Sequence, residues 1–257
     1  MTRVLAAIDD SAAARAVLET AATLAQAAAA EPHALHVRED HRRTLRHAAA
    51  SAGIPLREVT GDVVENVVEA ADADDVLAVV VGARSRPAGR RPAGHIALEL
   101  MTRISKPLVV VPPNAPPCTE LRRMAVPLDG TRATAKRSEG AIELAIAAGM
   151  EIVIIHVCGE DRIPLYTDQP QHDTRAFAEE FTARYAPDVP AHLELRVGVP
   201  AEEVLTAALA LDADLCALAW AQSLEPGRAR VVKEMLARSP IPVLLLPLNP
   251  TPGSSVP

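Results

Sequence analysis

The 257-residue chain carries a net charge of −7, and 49% of its residues are hydrophobic but only 2% aromatic. This length fits one large domain or two ordinary ones, and the apolar share is sufficient for two cores. The acidic balance and the scarcity of rings on which bases stack argue against a nucleic-acid partner.

The chain contains the same pattern twice. Residues 3–37 align without a gap to residues 123–157, so that Asp9 matches Asp129 and His36 matches His156. The far ends repeat as well, because ISKPLVVVPP matches SPIPVLLLPL. We therefore predict a domain duplication with repeat 1 at 1–112, a proline-rich linker at 113–122, repeat 2 at 123–248 and a disordered tail at 249–257.

In repeat 1, short β-branched runs alternate with helical patterns, which is typical of βαβ units. The first helix, at about 12–30, places Val17, Leu18 and Leu24 on one stripe, with Asp10 or Ser11 as its N-cap. Strands are predicted at 3–8, 33–37, 55–60, 76–82 and 107–111.

Repeat 2 continues this alternation. A loop at 158–172 is predicted to precede a helix at 173–185. Strands are predicted at 123–128, 151–157, 191–197, 214–219 and 241–246. The expected fold is α/β, with two tandem doubly wound domains, each a five-stranded parallel sheet in strand order 3-2-1-4-5 with helices on both faces.

Asp9 and Asp129 end the first strand of each repeat, where a doubly wound sheet has its ligand crevice. A carboxylate there accepts hydrogen bonds from a ribose or a base. The alternative is a turn former that caps the next helix, and one sequence does not decide between the two.

The loop after the fourth strand of repeat 1 runs from Gly82 to His95. Glycines such as Gly82 and Gly94, at a strand exit and before a helix, let backbone amides converge on phosphate. Cationic side chains add to this loop, namely Arg84, Arg86, Arg90 and Arg91. The alternative is a solvated loop whose arginines face water.

These features resemble the universal stress protein family. The resemblance rests on the Asp9–Ser11 turn, the VVVGAR strand exit, the Gly94-flanked loop and the closing KPLVVVP strand, and it covers both repeats. It implies an ATP or related adenine-nucleotide site in repeat 1 only. The implied binding residues are Asp9, Val37, Gly82, Arg84, Gly94 and His95.

The chain also departs from the family pattern G-x2-G-x9-G-[S/T]. Ser85 stands at the second glycine, the spacing to Gly94 is one residue short, and His95 replaces the small hydroxyl residue. Repeat 2 has no glycine pair and carries Glu225 near the expected phosphate position. Its crevice is therefore expected to be degenerate, with Trp220 filling the vacated pocket.

Other chemistry is weakly indicated. His36 and His156 are expected to be structural, and Cys118, Cys158 and Cys216 show no disulfide or zinc spacing. Cys118 in the linker is expected to be exposed. A receiver domain is excluded because Lys106-Pro107 precedes the last strand instead of ending it. The sequence offers no nucleophile with a nearby base, so we do not expect an enzyme.

The expected molecule is a stress-response regulatory module that resides in the cytoplasm and does not contact membranes. No segment provides the roughly eighteen apolar residues that a membrane span needs. The fifth strands are expected to pair, which joins the repeats as an internal pseudo-dimer and leaves a homodimer possible. The alternative function is a ligand-free dimerisation or interaction scaffold with both loops degenerate.

Overall fold

The computed structural model describes residues 1–11, 13–38, 49–84, 93–116, 118–158, 170–187, 189–225 and 229–248. Within these ranges each predicted strand is present, and its ends lie within two residues of the predicted bounds. The strands are β1 Arg3–Ile8, β2 Glu31–Arg38, β3 Leu56–Thr60, β4 Val76–Gly82, β5 Leu108–Val111, β6 Arg123–Pro127, β7 Glu151–Cys158, β8 Ala191–Val197, β9 Leu215–Trp220 and β10 Val243–Pro247.

Helices cross between most of these strands. The described helices are α1 Ala14–Ala27, α2 Val63–Ala71, α3 His95–Arg103, α4 Arg132–Ala147, α5 Pro170–Tyr185, α6 Pro200–Ala210 and α7 Arg230–Arg238. The helix predicted at 173–185 begins three residues earlier, at Pro170, so the end of the predicted loop at 158–172 is helical. Proline suits the first turn of a helix because the amide it lacks has no intrahelical acceptor there.

The predicted cap of α1 is wrong. The N-cap is Ala13, without a side-chain hydrogen bond, and not Asp10 or Ser11. The hydroxyl of Ser11 instead accepts a hydrogen bond from the Ala13 amide at 3.3 Å, and the Ser11 carbonyl accepts one from the Ala14 amide at 3.2 Å. The polar residues thus build a turn before the helix, and this turn lies at the end of β1.

All ten described strands form one sheet in the order β3-β2-β1-β4-β5-β10-β9-β6-β7-β8. Each half has the predicted order 3-2-1-4-5, and its strands are parallel. The two halves meet at β5 and β10, which pair antiparallel. The expected doubly wound α/β fold and the expected pairing of the fifth strands are confirmed.

The junction between the halves is twofold in its register. Val109 pairs with Leu244, its counterpart in the aligned ends of the repeats. The pairs on either side, Leu108 with Leu245 and Val110 with Val243, are related to each other by the same exchange. A pseudo-twofold axis therefore passes through the pair Val109–Leu244.

The core has two layers, one on each face of the sheet, because successive strand side chains point to opposite faces. One buried cluster includes Leu18 of α1 and Ile154 of β7, and the other includes Leu100 of α3 and Met235 of α7. Each cluster contains residues from both halves of the chain. Both apolar layers therefore continue across the junction between the halves.

The linker packs on repeat 1. Thr23 of α1 donates a hydrogen bond from Oγ1 to the carbonyl oxygen of Cys118 at 2.6 Å, and Cys118 is buried, not exposed as expected. Burial is the main cause that raises the pKa of the Cys118 thiol to about 11, and the negative charge of the nearby Asp214 adds to this effect. The domain bounds at 112 and 123 stay predictions, and the tail at 249–257 lies outside the described residues.

No helix in the described ranges combines the length and the apolar character that a membrane crossing requires. Cys118, Cys158 and Cys216 are free thiols. The described part of the chain holds no group of three His, Cys, Asp or Glu side chains arranged to bind a metal ion.

Candidate functional site

A cavity of about 560 Å³ lies at the carboxyl ends of β1, β2 and β4, bounded by the first turns of α1, α2 and α3. This volume is within the range of small-molecule sites. The cavity brings together all six residues that the sequence singles out, namely Asp9, Val37, Gly82, Arg84, Gly94 and His95. They come from three strand ends and one helix start, as expected for the crevice of a doubly wound sheet.

The turn after β1 forms one wall. Asp9 is exposed and accepts a hydrogen bond on Oδ1 from the Ser11 amide at 3.1 Å. Both sequence readings of Asp9 are thus compatible: it holds a turn, and it lines the cavity.

The opposite wall joins the end of β4 to the start of α3. The Gly94 amide donates to the carbonyl oxygen of Ala83 at 2.7 Å, and a Cβ on Gly94 would lie 3.4 Å from that oxygen. Gly94 has a φ of −66°, and at 3.4 Å an added Cβ would make an ordinary contact, so the position also accepts a residue with a side chain. Gly94 is the N-cap of α3 and provides no side-chain bond to the first amides of the helix, which have no intrahelical acceptor.

Arg84 and His95 supply the basic groups of this wall. Arg84 is half-buried at the cavity rim. The side chain of His95 is 72% exposed, and its Nδ1 lies 3.4 Å from Oε2 of Glu99. The imidazole of His95 thus lies beside Glu99 at the cavity lining, and its contact with a ligand stays a prediction.

Val37 and His36 end β2. Val37 is 7% exposed and forms part of the apolar lining. The predicted structural role of His36 is confirmed, because its Nδ1 lies 3.0 Å from the carbonyl oxygen of Ile8. Since a carbonyl only accepts, Nδ1 carries the proton in this bond.

Apolar residues of α2 and α3 complete the lining, and the sequence analysis did not assign them to the site. Val63, Val67 and Leu100 are among them. Their helical spacing identifies them as core residues, and the spacing alone does not show that they also border a cavity. The arginines at 86, 90 and 91 and Ser85 lie outside the described residues.

The corresponding region of repeat 2 is built differently. Strand registers make Ala219 equivalent to Gly82, and Trp220 equivalent to Ala83. Trp220 is 3% exposed and belongs to the same buried cluster as Val232 and Leu236 of α7. A large indole thus occupies the position where repeat 1 has a methyl group on the cavity wall, as the sequence led us to expect.

A ring cluster covers the other side of repeat 2. His156 keeps the structural bond of its counterpart, with Nδ1 at 2.8 Å from the Leu128 carbonyl oxygen. The Phe181 ring of α5 lies 4.4 Å from the His156 ring and 4.8 Å from the Tyr185 ring. This contact was missed because the sequence does not show which face of α5 meets β7.

Asp129 differs from Asp9 in its partners. Its Oδ1 accepts hydrogen bonds from the Thr131 amide at 2.9 Å and from the Thr134 hydroxyl. Burial acts to raise the pKa of Asp129, but the bonds from Thr134 and Thr131 outweigh it and lower the pKa. This carboxylate is thus engaged in its own turn, which begins α4.

Comparisons with known proteins place the fold in the doubly wound α/β class over the whole chain. A universal stress protein from Archaeoglobus fulgidus shares 18% identity with a TM-score of 0.69, covering 96% of this chain and 98% of its own. A putative universal stress protein from Pseudomonas aeruginosa shares 15% identity with a TM-score of 0.69, covering 96% and 93%. At these identities the likeness establishes a common fold.

The second half of the chain matches a known protein family. Residues 120–247 match the model of the universal stress protein family. Comparison with curated proteins gives no match. The family match therefore falls on the repeat that carries the buried Trp220, whereas the described cavity lies in repeat 1.

Proposed function

We propose that this chain is a tandem universal stress protein, a cytoplasmic stress-response module whose first repeat binds ATP or a related adenine nucleotide. The observation that carries the proposal is the cavity of repeat 1, which gathers Asp9, Val37, Gly82, Arg84, Gly94 and His95. Its place at the strand ends is where doubly wound sheets hold nucleotides.

Each wall of the cavity suits one part of a nucleotide. The Asp9 carboxylate suits the donors of a ribose or an adenine, and Val37 suits the apolar face of the base. The amides at the start of α3 and the guanidinium of Arg84 suit phosphate oxygens, because helix N-termini favour anions. The altered loop spacing supports weak binding.

We propose binding without turnover. A nucleophile needs a base within hydrogen-bond reach, and that base needs correct orientation. In the cavity, the proton on Nδ1 of His36 is engaged by the Ile8 carbonyl, and His95 lies beside Glu99. Among the described residues neither imidazole is hydrogen-bonded to a nucleophile, so the proposed output is a ligand-dependent state and not a product.

Isothermal titration with ATP, ADP and cyclic AMP tests the proposal. We expect one site per chain, because in repeat 2 the buried Trp220 replaces Ala83 and the Phe181 ring packs against His156. Gly82→Asp should abolish binding, because its Cβ would point at Ala13 and Val17 on the cavity wall and its carboxylate would repel phosphate. Ala219→Asp, at the equivalent position of repeat 2, is the matched control and should bind normally.

Two results would contradict the proposal: no heat with any of the three ligands at millimolar concentration, or equal binding by wild type and Gly82→Asp. Because Gly82→Asp introduces a charge beside α1, its melting temperature without ligand is measured first. Arg84→Glu provides a second variant at the half-buried rim, and it should weaken ATP more than adenosine.

The alternative function is an interaction scaffold that binds no ligand. The specific observation that favours it is the packing of repeat 2, where Trp220 is buried and the Phe181 ring lies against His156. Native mass spectrometry of freshly isolated protein separates the two. A co-purified nucleotide mass supports the first proposal, and a bare monomer or homodimer that also fails the titration supports the second.

A further inference from the structure

We propose that Gln222, which belongs to repeat 2, is a positioning residue for the ligand site of repeat 1. This inference rests on the proposed function and concerns how the phosphate end of the cavity is held. The side-chain Nε2 of Gln222 donates to the Ile104 carbonyl oxygen at 2.8 Å and lies 3.5 Å from that of Met101. Both carbonyls belong to the end of α3, the helix whose start lines the cavity.

The end of α3 needs such a donor. Ile104 is the C-cap of α3 and leaves the helix in an extended conformation, so the last carbonyls have no intrahelical partner. Ile104 is 0% exposed and Met101 is 1% exposed. A buried carbonyl without a donor is costly, and the Gln222 amide removes that cost for Ile104.

The loop that carries Gln222 is itself fixed. Gln222 has a φ of +52°, a left-handed conformation that is uncommon for a residue with a side chain. Lys233 of α7 donates from Nζ to the carbonyl oxygens of Leu224 at 2.9 Å and of Glu225 at 3.0 Å. An anchor from α7 thus holds the loop in the conformation that directs the amide at α3.

The position of this loop explains why the contact between Gln222 and Ile104 matters for the site. It follows β9 as the Gly82 loop follows β4, so it is the counterpart of the proposed phosphate loop. In repeat 2 it no longer has the glycine pair, and its Gln222 reaches into the other repeat. We infer that this degenerate loop of repeat 2 holds the end of α3 in place and so supports the ligand site of repeat 1.

A helix of nine residues transmits this restraint as a rigid element. If the Gln222 bond is lost, the end of α3 loosens, and the amides at His95 and Ile96 lose their fixed position at the cavity. Repeat 2 would then set the affinity of repeat 1 without binding ligand itself.

Three variants test the inference. Gln222→Glu keeps the size but replaces the donor with a carboxylate that faces carbonyl oxygens, and Gln222→Lys keeps a donor suited to a helix C-terminus. Gln26→Glu, the same change at an exposed position of α1, is the matched control. Nucleotide Kd is measured by titration, and hydrogen exchange of the ligand-free protein is followed at 101–106.

We expect Gln222→Glu to raise the Kd for ATP roughly threefold to tenfold, the effect of about one hydrogen bond. Exchange at 101–106 should also become faster. Gln222→Lys and Gln26→Glu should match wild type in both measurements. The rescue by lysine separates a lost donor from a general loss of packing in the loop.

Unchanged exchange in Gln222→Glu would show that the Gln222 bond does not hold the end of α3. Faster exchange with an unchanged Kd would show that this bond does not affect the ligand site. A wild-type protein that binds no nucleotide contradicts the proposed function and the effect on affinity together. These outcomes are distinct, because exchange is measured without ligand and the wild-type titration does not depend on any variant.

Discussion

Ala83 and Trp220 occupy equivalent positions at the ends of β4 and β9, and both are buried. The methyl group of Ala83 borders an open cavity, whereas the indole of Trp220 is part of a packed cluster. The same backbone position therefore borders a ligand-sized cavity in repeat 1 and carries a buried indole in repeat 2. Burial of the indole adds apolar contact area, which stabilises the fold.

Asp129 offers a prediction at the residue scale. Thr134→Val removes the hydroxyl that helps to lower the pKa of this carboxyl group. A lowered folded pKa stabilises the fold above the ordinary pKa, and this stability is lost as the pH falls through the folded pKa. We expect a loss below about 1 kcal/mol at pH 7, because the exposed carboxylate is screened by water.

Urea unfolding between pH 7 and pH 3 measures this effect. The difference between wild type and Thr134→Val should be constant above pH 5 and should shrink below about pH 4. Thr206→Val is the control, because Thr206 is an exposed threonine of α6 whose hydroxyl donates to the Glu202 carbonyl oxygen and contacts no described carboxylate. A difference that stays constant to pH 3 would show that Asp129 is not the group involved.

At the scale of elements, α3 serves both the fold and the proposed site. Its first amides are not capped by a side chain, because Gly94 has none. Asn at a helix N-cap accepts from those amides and stabilises the helix. We therefore expect Gly94→Asn to stabilise the ligand-free protein by a few tenths of a kcal/mol and to weaken ATP binding several-fold, because the side chain competes with phosphate.

Thermal unfolding with and without ATP measures both effects together. Val199→Asn is the matched control, because Val199 is the N-cap of α6, lacks a side-chain bond and lies far from the cavity lining. It should stabilise the protein without changing the shift that ATP produces. An undiminished ATP shift in Gly94→Asn would mean that the α3 amides do not contact the ligand.

The elements themselves could be predicted because each carries a local pattern. The run VLAVVVG reads as a buried strand, and Val17, Leu18 and Leu24 read as one helix face; both are found in place. The cap at Ala13 could not be predicted, because an alanine side chain has no acceptor for the helix amides, whereas Ser11 uses its hydroxyl in the turn before the helix. Boundary errors of this kind arise from competition between nearly equal local hydrogen bonds.

The site could be predicted only where strand ends mark it. Asp9, Gly82 and Gly94 follow from chain position alone, because topology brings carboxyl ends of parallel strands together. The Gln222 amide at Ile104 and the Phe181 ring at His156 could not be predicted. They join residues far apart in the chain, and their formation depends on how helices and repeats pack.

At the scale of the molecule, the two halves share their cores. Each buried cluster contains residues from both repeats, and β5 pairs with β10 in the middle of the sheet. Separating the halves would break the β5–β10 pairing and expose two strand edges together with the apolar residues that flank them. The repeats are therefore expected to unfold as one cooperative unit.

The sole tryptophan makes this prediction simple to test. Trp220 lies in repeat 2, so its fluorescence reports that half, whereas far-ultraviolet circular dichroism reports both halves. In urea, the two transitions should have the same midpoint and slope. Fluorescence that changes at a different urea concentration from the circular dichroism would show that the halves unfold separately.

The axis through Val109 and Leu244 has a consequence for growth of the sheet. A twofold junction joins like to like, so it uses up both matching edges and terminates after one pairing. The outermost strands, β3 and β8, are unlike each other in sequence and carry charged side chains such as Arg57 and Arg196. Charged edge strands resist pairing with further strands. The sheet that the two repeats form together therefore ends at β3 and β8 and does not grow into fibres.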